Sequence, residues 1–395
     1  MKLLLKELND RKIKFVSKMD EKHPDWQTIV IIDKVNQYYF TGTIQDAVLL
    51  FLRGEGMKYF VRRSFERAVS ESPIKEIYSI KTYRDIANVV GSNLGITYLE
   101  TEVLPFATVE RLKSYFLMKD TRCVDTDIRE LRATKTDWEI KVLEKAGALH
   151  NKLFINEVPK MLCEGISEAE FTGKLLEKMF SFGHHGTIRY HMFQTEFTAG
   201  QVAFGENLLC PTNFDGPGSA RGYGASAPAN GDPKKLLKKG DLVFLDTGFG
   251  LDGYHSDKTQ VYRYNIEATE QMQAAQKKCR EIEARIAKLL RPGIRPSQIY
   301  HDIICSLNSQ FLKNFMGFSG RNVRFLGHGV GLNVDDFPVI AEGFNRPLEK
   351  NMVLAVEPKV GIENVGMVGV EEMYVVTENG GRCLTGGSKE IIFVN

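Results

Sequence analysis

The first third of the chain alternates short apolar runs with segments of helical spacing. Strands are predicted for the runs QTIVIID (27–33), QYYFTGT (37–43), AVLLFLR (47–53) and MKYFVRR (57–63). Helical and strand-like segments continue to alternate up to about residue 116. Because such alternation is typical of a sheet covered by helices, we predict an α/β domain over residues 1–128.

A polar stretch at 125–136 separates this pattern from a long segment of helical spacing at 138–162, so we expect a domain boundary there. A second amphipathic helix is predicted after Ser167. Glu170 stands three residues later, as in a capping box, and Gly183 ends the pattern. Residues 129–395 then form the second domain.

The second domain mixes both element types. Strands are predicted at 241–250 and 258–264, a long helix at 267–290, and only strands and turns from 323 to 395. Between 207 and 240 the chain is rich in glycine and proline and lacks periodicity. Loops of this length are uncommon in compact domains and are often functional. We therefore predict an α+β domain with a functional loop.

Composition narrows the classes of partner. The 52 Lys and Arg residues almost balance the 50 Asp and Glu residues, so no overall field favours nucleic acid or an anionic membrane, and a small partner is expected. No apolar run reaches the ~20 residues of a membrane span, and the start MKLLLKELNDRKIKF becomes charged too early for a signal peptide. We expect a cytoplasmic protein. Six scattered cysteines without a CxxC pair argue against a thiolate zinc site or disulfides.

Five side chains with metal-ligating chemistry occur beside apolar strands or glycine-rich turns. They are Asp246, Asp257, His328, Glu357 and Glu371. A carboxylate at the end of a buried strand costs several kcal/mol unless its charge is compensated, and metal ions compensate it well. One histidine among carboxylates suits Mn, Co, Fe or Zn. Any one of these residues alone would more simply be a surface acid.

The order and context of the five resemble the pita-bread metallopeptidase family, which includes prolidase, aminopeptidase P, methionine aminopeptidase and creatinase. A D-x-G segment begins at Asp246, and G-Y-x-x-D-x-T spans 253–259, which places the two aspartates eleven residues apart. G-H-G-x-G spans 327–331, and Glu357 opens an E-P pair fourteen residues before Glu371. The N-terminal YYFTGT also resembles the family's creatinase-like domain.

The resemblance implies a creatinase-like α/β domain followed by a pita-bread domain with a curved antiparallel sheet, in a homodimer. It implies two divalent ions, one chelated by Asp246, the other bound by His328 and Glu357, with Asp257 and Glu371 bridging both. Two cations would lower the pKa of a shared water and polarise a carbonyl. Glu357 would be the catalytic proton shuttle. The implied activity is peptide hydrolysis of the Xaa-Pro dipeptidase or aminopeptidase P type.

The residues that would hold a peptide differ from those of the proline-specific relatives. Those enzymes carry histidines in a P-H-G-type and an H-E-x-P segment. Here the corresponding segments read PTNFDGP (211–217) and DDFP (335–338). Gln260 and Gly369 stand where arginines are usual. Because Asp335 replaces a histidine and Gly369 removes a carboxylate partner, we expect altered specificity and weak activity on free Xaa-Pro dipeptides.

Candidate substrate-binding residues are Tyr254, Asp335, Arg189, Asn213 and Asp215, with Thr259 beside them. For Asn213 and Asp215 a loop-capping role is the alternative, and for Arg189 a surface ion pair. His184, His185 or His191 would line the pocket, or else be turn or core residues, and His255 would support the second ligand or occupy an exposed turn.

Two other functions stay open. The scaffold could act on a non-peptide substrate by hydrolysis or elimination, since the changes lie where a peptide would be held. It could also be a binding protein without turnover. The complete ligand set argues against this last hypothesis, because a chain that uses no metal has little reason to keep four mutually repelling carboxylates.

Overall fold

The computed structural model describes residues 4–218, 220–227 and 231–395. The chain divides into two compact units, Met1–Arg132 and Ala133–Asn395. The predicted boundary after residue 128 lies inside a helix, Asp125–Ala133, that ends where the units divide. The polar composition of 125–136 therefore belongs to a short helix and the turn after it, in which the charged side chains of Asp125, Asp127 and Arg132 are buried.

The first unit has these elements: α1 Leu5–Lys22, β1 Thr28–Ile31, α2 Lys34–Thr41, β2 Asp46–Leu52, β3 Gly56–Arg63, α3 Phe65–Glu71, β4 Ile77–Ser79, α4 Tyr83–Val90, β5 Asn93–Leu99, α5 Phe106–Lys113, β6 Leu117–Cys123 and α6 Asp125–Ala133. Its six strands form one sheet in the order β4-β3-β2-β1-β5-β6. The β1–β2 and β2–β3 pairs are antiparallel, and the other pairs are parallel. This mixed sheet with helices agrees with the predicted α/β domain.

The strand predicted at 37–43 is wrong, because this segment belongs to helix α2. Asp33 accepts a hydrogen bond from the backbone N–H of Asn36 and so caps the helix, and Gly42 ends it with a φ of 76°. Buried Gln37 donates to the carbonyls of Ile32 and Ala47. The cap at Asp33 and the glycine at 42 indicate a helix, but the apolar run YYF favoured a strand.

The second unit has these elements: α7 Asp137–Asn156, α8 Val158–Met161, α9 Glu168–Ser181, β7 Gly200–Phe204, a 3-10 helix Gly205–Leu209, β8 Leu242–Leu251, β9 Tyr254–Tyr264, α10 Glu270–Leu289, α11 Pro296–Ile304, α12 Ser309–Leu312, β10 Gly317–Phe318, β11 Arg321–Asn322, β12 Phe325–Gly329, β13 Asp336–Ala341, β14 Val353–Val356, β15 Lys359–Ile362, β16 Gly366–Gly369, β17 Glu372–Thr377, β18 Gly380–Cys383 and β19 Ile392–Val394. The predicted strands at 241–250 and 258–264 and the helix at 267–290 are present. The capping box of Ser167 and Glu170 at the start of α9 is present as well.

Two main sheets shape this unit. One has the order β19-β9-β8-β7 and the other β13-β12-β14-β17-β18, while β15 pairs with β16. An isolated antiparallel bridge between Thr259 and Glu371 joins the two sheets. Apolar side chains of α7, α9 and α10 pack on these sheets with Leu153, Phe171 and Ile286 fully buried.

The long segment predicted as a loop, 207–240, contains turns and isolated bridges after the 3-10 helix, and its residues 219 and 228–230 lie outside the described residues. Buried Glu168, at the start of α9, accepts hydrogen bonds from Phe204 N, Asn207 Nδ2 and Asp232 N at 2.7, 3.2 and 2.9 Å. Both ends of the loop are thereby fastened to one carboxylate. Among the helices of the described residues, none is long and apolar enough to cross a membrane.

Candidate metal centre

Three of the five predicted ligands lie in strands, while Glu357 directly follows β14 and Glu371 directly precedes β17. Asp246 lies in β8 and Asp257 in β9, where the register pairs Asp246 with Thr259 and Asp257 with Gly248. The two aspartates are therefore diagonal neighbours on one face of the hairpin. In the second sheet His328 pairs with Ala355, so Glu357, two residues further, lies diagonally across from it on the same face.

The structure brings all five side chains together. Ligand atoms of Asp257, His328 and Glu371 lie within 4.8 Å of one another, and so do those of Asp246, Glu357 and Glu371. Glu371 belongs to both groups because it lies where the two sheets meet, at its bridge with Thr259. Thr259 also donates to Glu371 Oε2 at 2.9 Å, so this candidate pocket residue holds a carboxylate of the cluster.

A lysine that the sequence analysis overlooked occupies the second of these groups. Lys359 Nζ donates to Asp246 Oδ2 at 2.9 Å, to Glu357 Oε2 at 2.8 Å and to Glu371 Oε2 at 2.9 Å. Its side chain has no exposed surface. An ammonium group has three N–H donors, and these three carboxylates use all of them.

The other oxygens of the two glutamates turn towards His328. The Nε2 atom of His328 lies 3.2 Å from Glu357 Oε1 and 3.9 Å from Glu371 Oε1, and Asp257 Oδ2 is 3.8 Å away. Each glutamate thus spans two positions, one held by the ammonium of Lys359 and one beside His328. The side chains of Asp246 and His328 are each 14% exposed, so the cluster is open to a ligand from that side.

The distances around His328 are compatible with binding one divalent ion. Two atoms that bind the same ion at about 2.0–2.2 Å can be at most about 4.4 Å apart, and the separations around His328 are all within that limit. The donor set of one imidazole and carboxylates suits Mn, Co, Fe or Zn. An ion among Asp246, Glu357 and Glu371 would have to lie where Lys359 Nζ already binds the same three oxygens.

Burial and crowding shift the protonation of the cluster. Burial raises the pKa of Asp257 well above its usual range, and the charges of Glu371 and Asp246 raise it further. Burial lowers the pKa of His328, but the hydrogen bond and charge of Glu357 outweigh this and raise it to about 10. Burial also lowers the pKa of Lys359, yet the three carboxylates that it contacts raise it well above the usual value. These contacts therefore favour the charged form of Lys359.

Two predicted substrate-binding residues have structural partners instead. Tyr254 is fully buried, and its hydroxyl donates to Glu139 Oε1 at 2.9 Å, so it belongs to the core. Asp335 accepts hydrogen bonds from the backbone N–H groups of His191 and Met192, the latter at 2.8 Å. Its carboxylate therefore fastens a segment of chain. The alternation of residues along a strand does not indicate that Tyr254 meets Glu139 or that Asp335 meets the backbone of residues 191 and 192.

The three histidines around the β8–β9 hairpin are also engaged locally. His184 Nδ1 accepts from Gly250 N at 2.8 Å, and His185 Nε2 donates to the Thr187 carbonyl at 2.9 Å. The ring nitrogens of buried His255 lie near the carbonyls of Thr187 and Gly331, at 3.1 and 3.3 Å. Burial is the first cause that lowers the pKa of His185 to about 4 and that of His255 to about 3. They are turn and core residues, and His255 is not in an exposed turn.

A cavity of about 260 Å³ has Gln201, the strand neighbour of the candidate ligand Asp246, in its wall. It is lined by Met192, Phe193, Gln194, Thr195, Glu196, Phe197, Gln201, Thr212, Asn213, Phe214, Ala220, Ser226 and Ala227. Asn213 is one of the residues that line this cavity, and its role in substrate binding stays a prediction.

Arg189 and Asp215 lie apart from the lining of this cavity. Arg189 is half-buried, and its charge is the second cause, after burial, of the lowered pKa of His185. Asp215 is exposed, and its charge acts on Arg321. Neither residue is part of the carboxylate cluster.

Tyr190 is a further residue that the sequence analysis did not single out. Burial raises its pKa well above the usual value, and the next cause is the negative charge of Asp257. Its ring packs against Phe197 and Phe214, with centroids 5.5 and 5.9 Å apart. For Lys359 a signal was present: a lysine inside the apolar run VLAVEPKVGI, two residues from a candidate ligand, needs a buried anion.

The comparisons with known proteins agree with this architecture. The Xaa-Pro dipeptidase of Pyrococcus furiosus is 26% identical over 389 residues, 98% of this chain and 100% of that protein. The prolidase structure from Pyrococcus horikoshii is 24% identical with a TM-score of 0.77, covering 97% of this chain and 100% of that one. The Xaa-Pro dipeptidase structure from Bacillus anthracis is 21% identical with a TM-score of 0.80, covering 98% and 100%.

Two family models cover nearly all of the chain. The model of the Creatinase/Prolidase N-terminal domain matches residues 11–134, and that of Metallopeptidase family M24 matches residues 141–378. The predicted fold class, a creatinase-like domain followed by a pita-bread domain, is confirmed, and so is the prediction of a metallopeptidase-like hydrolase. The chain belongs to metallopeptidase family M24 and carries the family's creatinase/prolidase N-terminal domain.

Proposed function

We propose that this chain hydrolyses a peptide or closely related amide bond at the cluster around His328, with the aid of a divalent metal ion. The observation that carries the proposal is the convergence of His328, Asp257 and Glu371 within 4.8 Å in a chain of this family. The Xaa-Pro dipeptidase activity named for its relatives supports a peptide substrate. The ion would polarise the substrate carbonyl.

In this proposal Glu357 moves the proton. Burial raises its pKa, but the charge of Lys359 and the hydrogen bond from His328 outweigh this and lower it, so the carboxylate is ionised. Oε2 is held by Lys359, while Oε1 lies 3.2 Å from His328 on the open side. Oε1 is therefore the atom that would accept a proton from the attacking water and return it to the leaving amine.

The version with two ions, implied by the resemblance, requires the second ion among Asp246, Glu357 and Glu371. Lys359 argues against it, because its Nζ already binds those oxygens. Manganese, cobalt, iron and zinc all suit the remaining donors, and reconstitution with each is the way to choose. The proposed homodimer is a separate question, which light scattering after size exclusion answers.

The proposed change in specificity now depends on Gly369 more than on Asp335. The carboxylate of Asp335 accepts hydrogen bonds from two backbone N–H groups, those of His191 and Met192. Gly369 lies opposite Lys359, and a Cβ there would be 2.6 Å from Lys359 Cα, so no arginine fits in this backbone. Without that arginine we propose that a free C-terminal carboxylate is bound poorly, and that amidated or longer peptides are better substrates.

Lys359 also favours a second candidate function, hydrolysis or elimination on a non-peptide substrate by the same scaffold. A lysine among three of the candidate ligands changes the centre itself, and not only the residues that hold a peptide. A binding protein without turnover is disfavoured, because the cluster keeps four buried or nearly buried carboxylates at high energetic cost.

The test is a substrate panel with the purified chain, dialysed free of metal and reconstituted with Mn, Co, Fe or Zn in turn. The panel contains Xaa-Pro dipeptides, their amides, non-proline dipeptides, tripeptides and non-peptide amides. We expect hydrolysis of a peptide member, and the free acid slower than its amide. The variant Glu357→Gln, purified in parallel, controls for contaminating peptidases. Equal rates for the variant and the parent, or cleavage only of non-peptide amides, would reject the peptidase proposal.

A further inference from the structure

The ammonium group of Lys359 lies where one of two clustered ions would bind. It contacts Asp246, Glu357 and Glu371, which are one of the two groups of side chains here able to hold an ion. The three distances, 2.8–2.9 Å, are those of charge-assisted hydrogen bonds. We propose that Lys359 permanently replaces one divalent cation, so that the centre accepts a single ion, at Asp257, His328 and Glu371.

The two glutamates divide their oxygens in the way that the proposal requires. Oε2 of Glu357 and Oε2 of Glu371 bind Lys359, and both Oε1 atoms lie within 3.9 Å of His328 Nε2. A carboxylate that bridges two cations presents one oxygen to each. Here one of the two cations is the ammonium, and the oxygens on the other side stay available for an ion.

The position of Lys359 is fixed by its surroundings. Its backbone pairs with Gly369 in the β15–β16 ladder, and its side chain has no exposed surface. A Cβ at position 369 would lie 2.8 Å from Lys359 Cγ, so the glycine leaves the space through which the lysine stem runs. Its ammonium also lies 6.0 Å from the ring centroid of Phe244.

Displacing this ammonium would be costly. A second ion could bind the same three oxygens only if Lys359 left them, and a buried charge that loses its partners is strongly destabilised. Exchange with an ion in solution is therefore opposed, and a chelator has no means of removing the lysine. The ammonium of Lys359 stays beside Asp246, Glu357 and Glu371 whether or not an ion is bound at His328.

The inference rests on the proposed metal-dependent function, and the experiment counts ions without an activity assay, so a count of two overturns the inference while the proposed hydrolysis stands. Metal-free protein is titrated with Mn²⁺ and examined by native mass spectrometry and by electron paramagnetic resonance. We expect one ion per chain with the spectrum of an isolated Mn²⁺. Two ions per chain, with the signal of a magnetically coupled pair, would overturn the proposal, and so would a chain that binds none at saturation.

Substitution of the lysine gives the second half of the test. Lys359→Gly removes the ammonium and its stem, so the count should rise from one ion to two per chain, with the coupled signal. Lys359→Ala serves if the glycine variant does not fold, which circular dichroism decides. The matched control is Lys389→Met, which removes a different ammonium that binds buried Glu283 at 2.7 Å, and it should keep one ion. A folded Lys359 variant that still binds a single ion would overturn the proposal.

Discussion

Replacing Asp335 with asparagine should loosen the chain segment that lines the cavity beside the metal centre. The Asp335 carboxylate accepts the backbone N–H groups of His191 and Met192, directly before the cavity residues Phe193 to Phe197. Asparagine keeps one acceptor oxygen and turns an NH₂ group towards the other N–H. One hydrogen bond to a charged group is then lost, which costs about 1.5–3 kcal/mol.

This loss translates into a measurable rate of amide exchange. Each 1.4 kcal/mol corresponds to about a factor of ten, so exchange of the amides at 191 and 192 should accelerate roughly tenfold to hundredfold. Hydrogen–deuterium exchange with mass spectrometry, on peptides covering 188–199, measures it. Glu196→Gln is the matched control, since it makes the same chemical change on an exposed side chain of the same segment. If Asp335→Asn leaves the exchange of this peptide unchanged, the carboxylate does not hold the segment.

Three further predictions address the cluster and the core. Asp257→Ala or His328→Ala should lose the bound ion, measured by elemental analysis after dialysis, while the N-terminal unit keeps its own thermal transition; retention of a stoichiometric ion would contradict the ligand assignment. Tyr254→Phe should lower the free energy of unfolding by about 1–3 kcal/mol, because Glu139 loses a buried hydrogen-bond donor. It should leave kcat and KM unchanged, and a raised KM would show that Tyr254 contacts the substrate. Glu168→Gln should cost about 1–3 kcal/mol in denaturant unfolding, because its amide cannot accept all three donors, and an unchanged midpoint would refute this.

The hydrophobic pattern correctly predicted those helices and strands that carry a clear signal in their own residues. Strand β8 is a long, mostly apolar run, and α9 carries its capping box in the sequence. The segment 37–43 failed because its apolar run is short, and the cap at Asp33 and the turn at Gly42 decide in favour of a helix. Short runs depend on such local hydrogen bonds, which periodicity does not detect.

The cluster was accessible from sequence only in part. The ligand positions follow from motif and spacing, since residues on adjacent strands meet once the register is set. The direction of a single buried side chain is a different matter. Nothing in the spacing says that Lys359 reaches back to Asp246, 113 residues earlier, or that Tyr254 meets Glu139 in the core. Such pairings depend on which sheet faces which, and that is settled by tertiary packing.

The close approach of β15 and β16 has a consequence for protein engineering. A Cβ at position 369 would lie 2.6 Å from both Lys359 Cα and the Pro358 carbonyl oxygen, which are backbone atoms. Trimming the lysine would therefore not make room for a side chain at 369. Anyone who wishes to graft the proline-specific pocket onto this scaffold has to transplant residues 358–370 as one block, together with the strand spacing of the donor enzyme, because point substitutions at 359 and 369 cannot reproduce it.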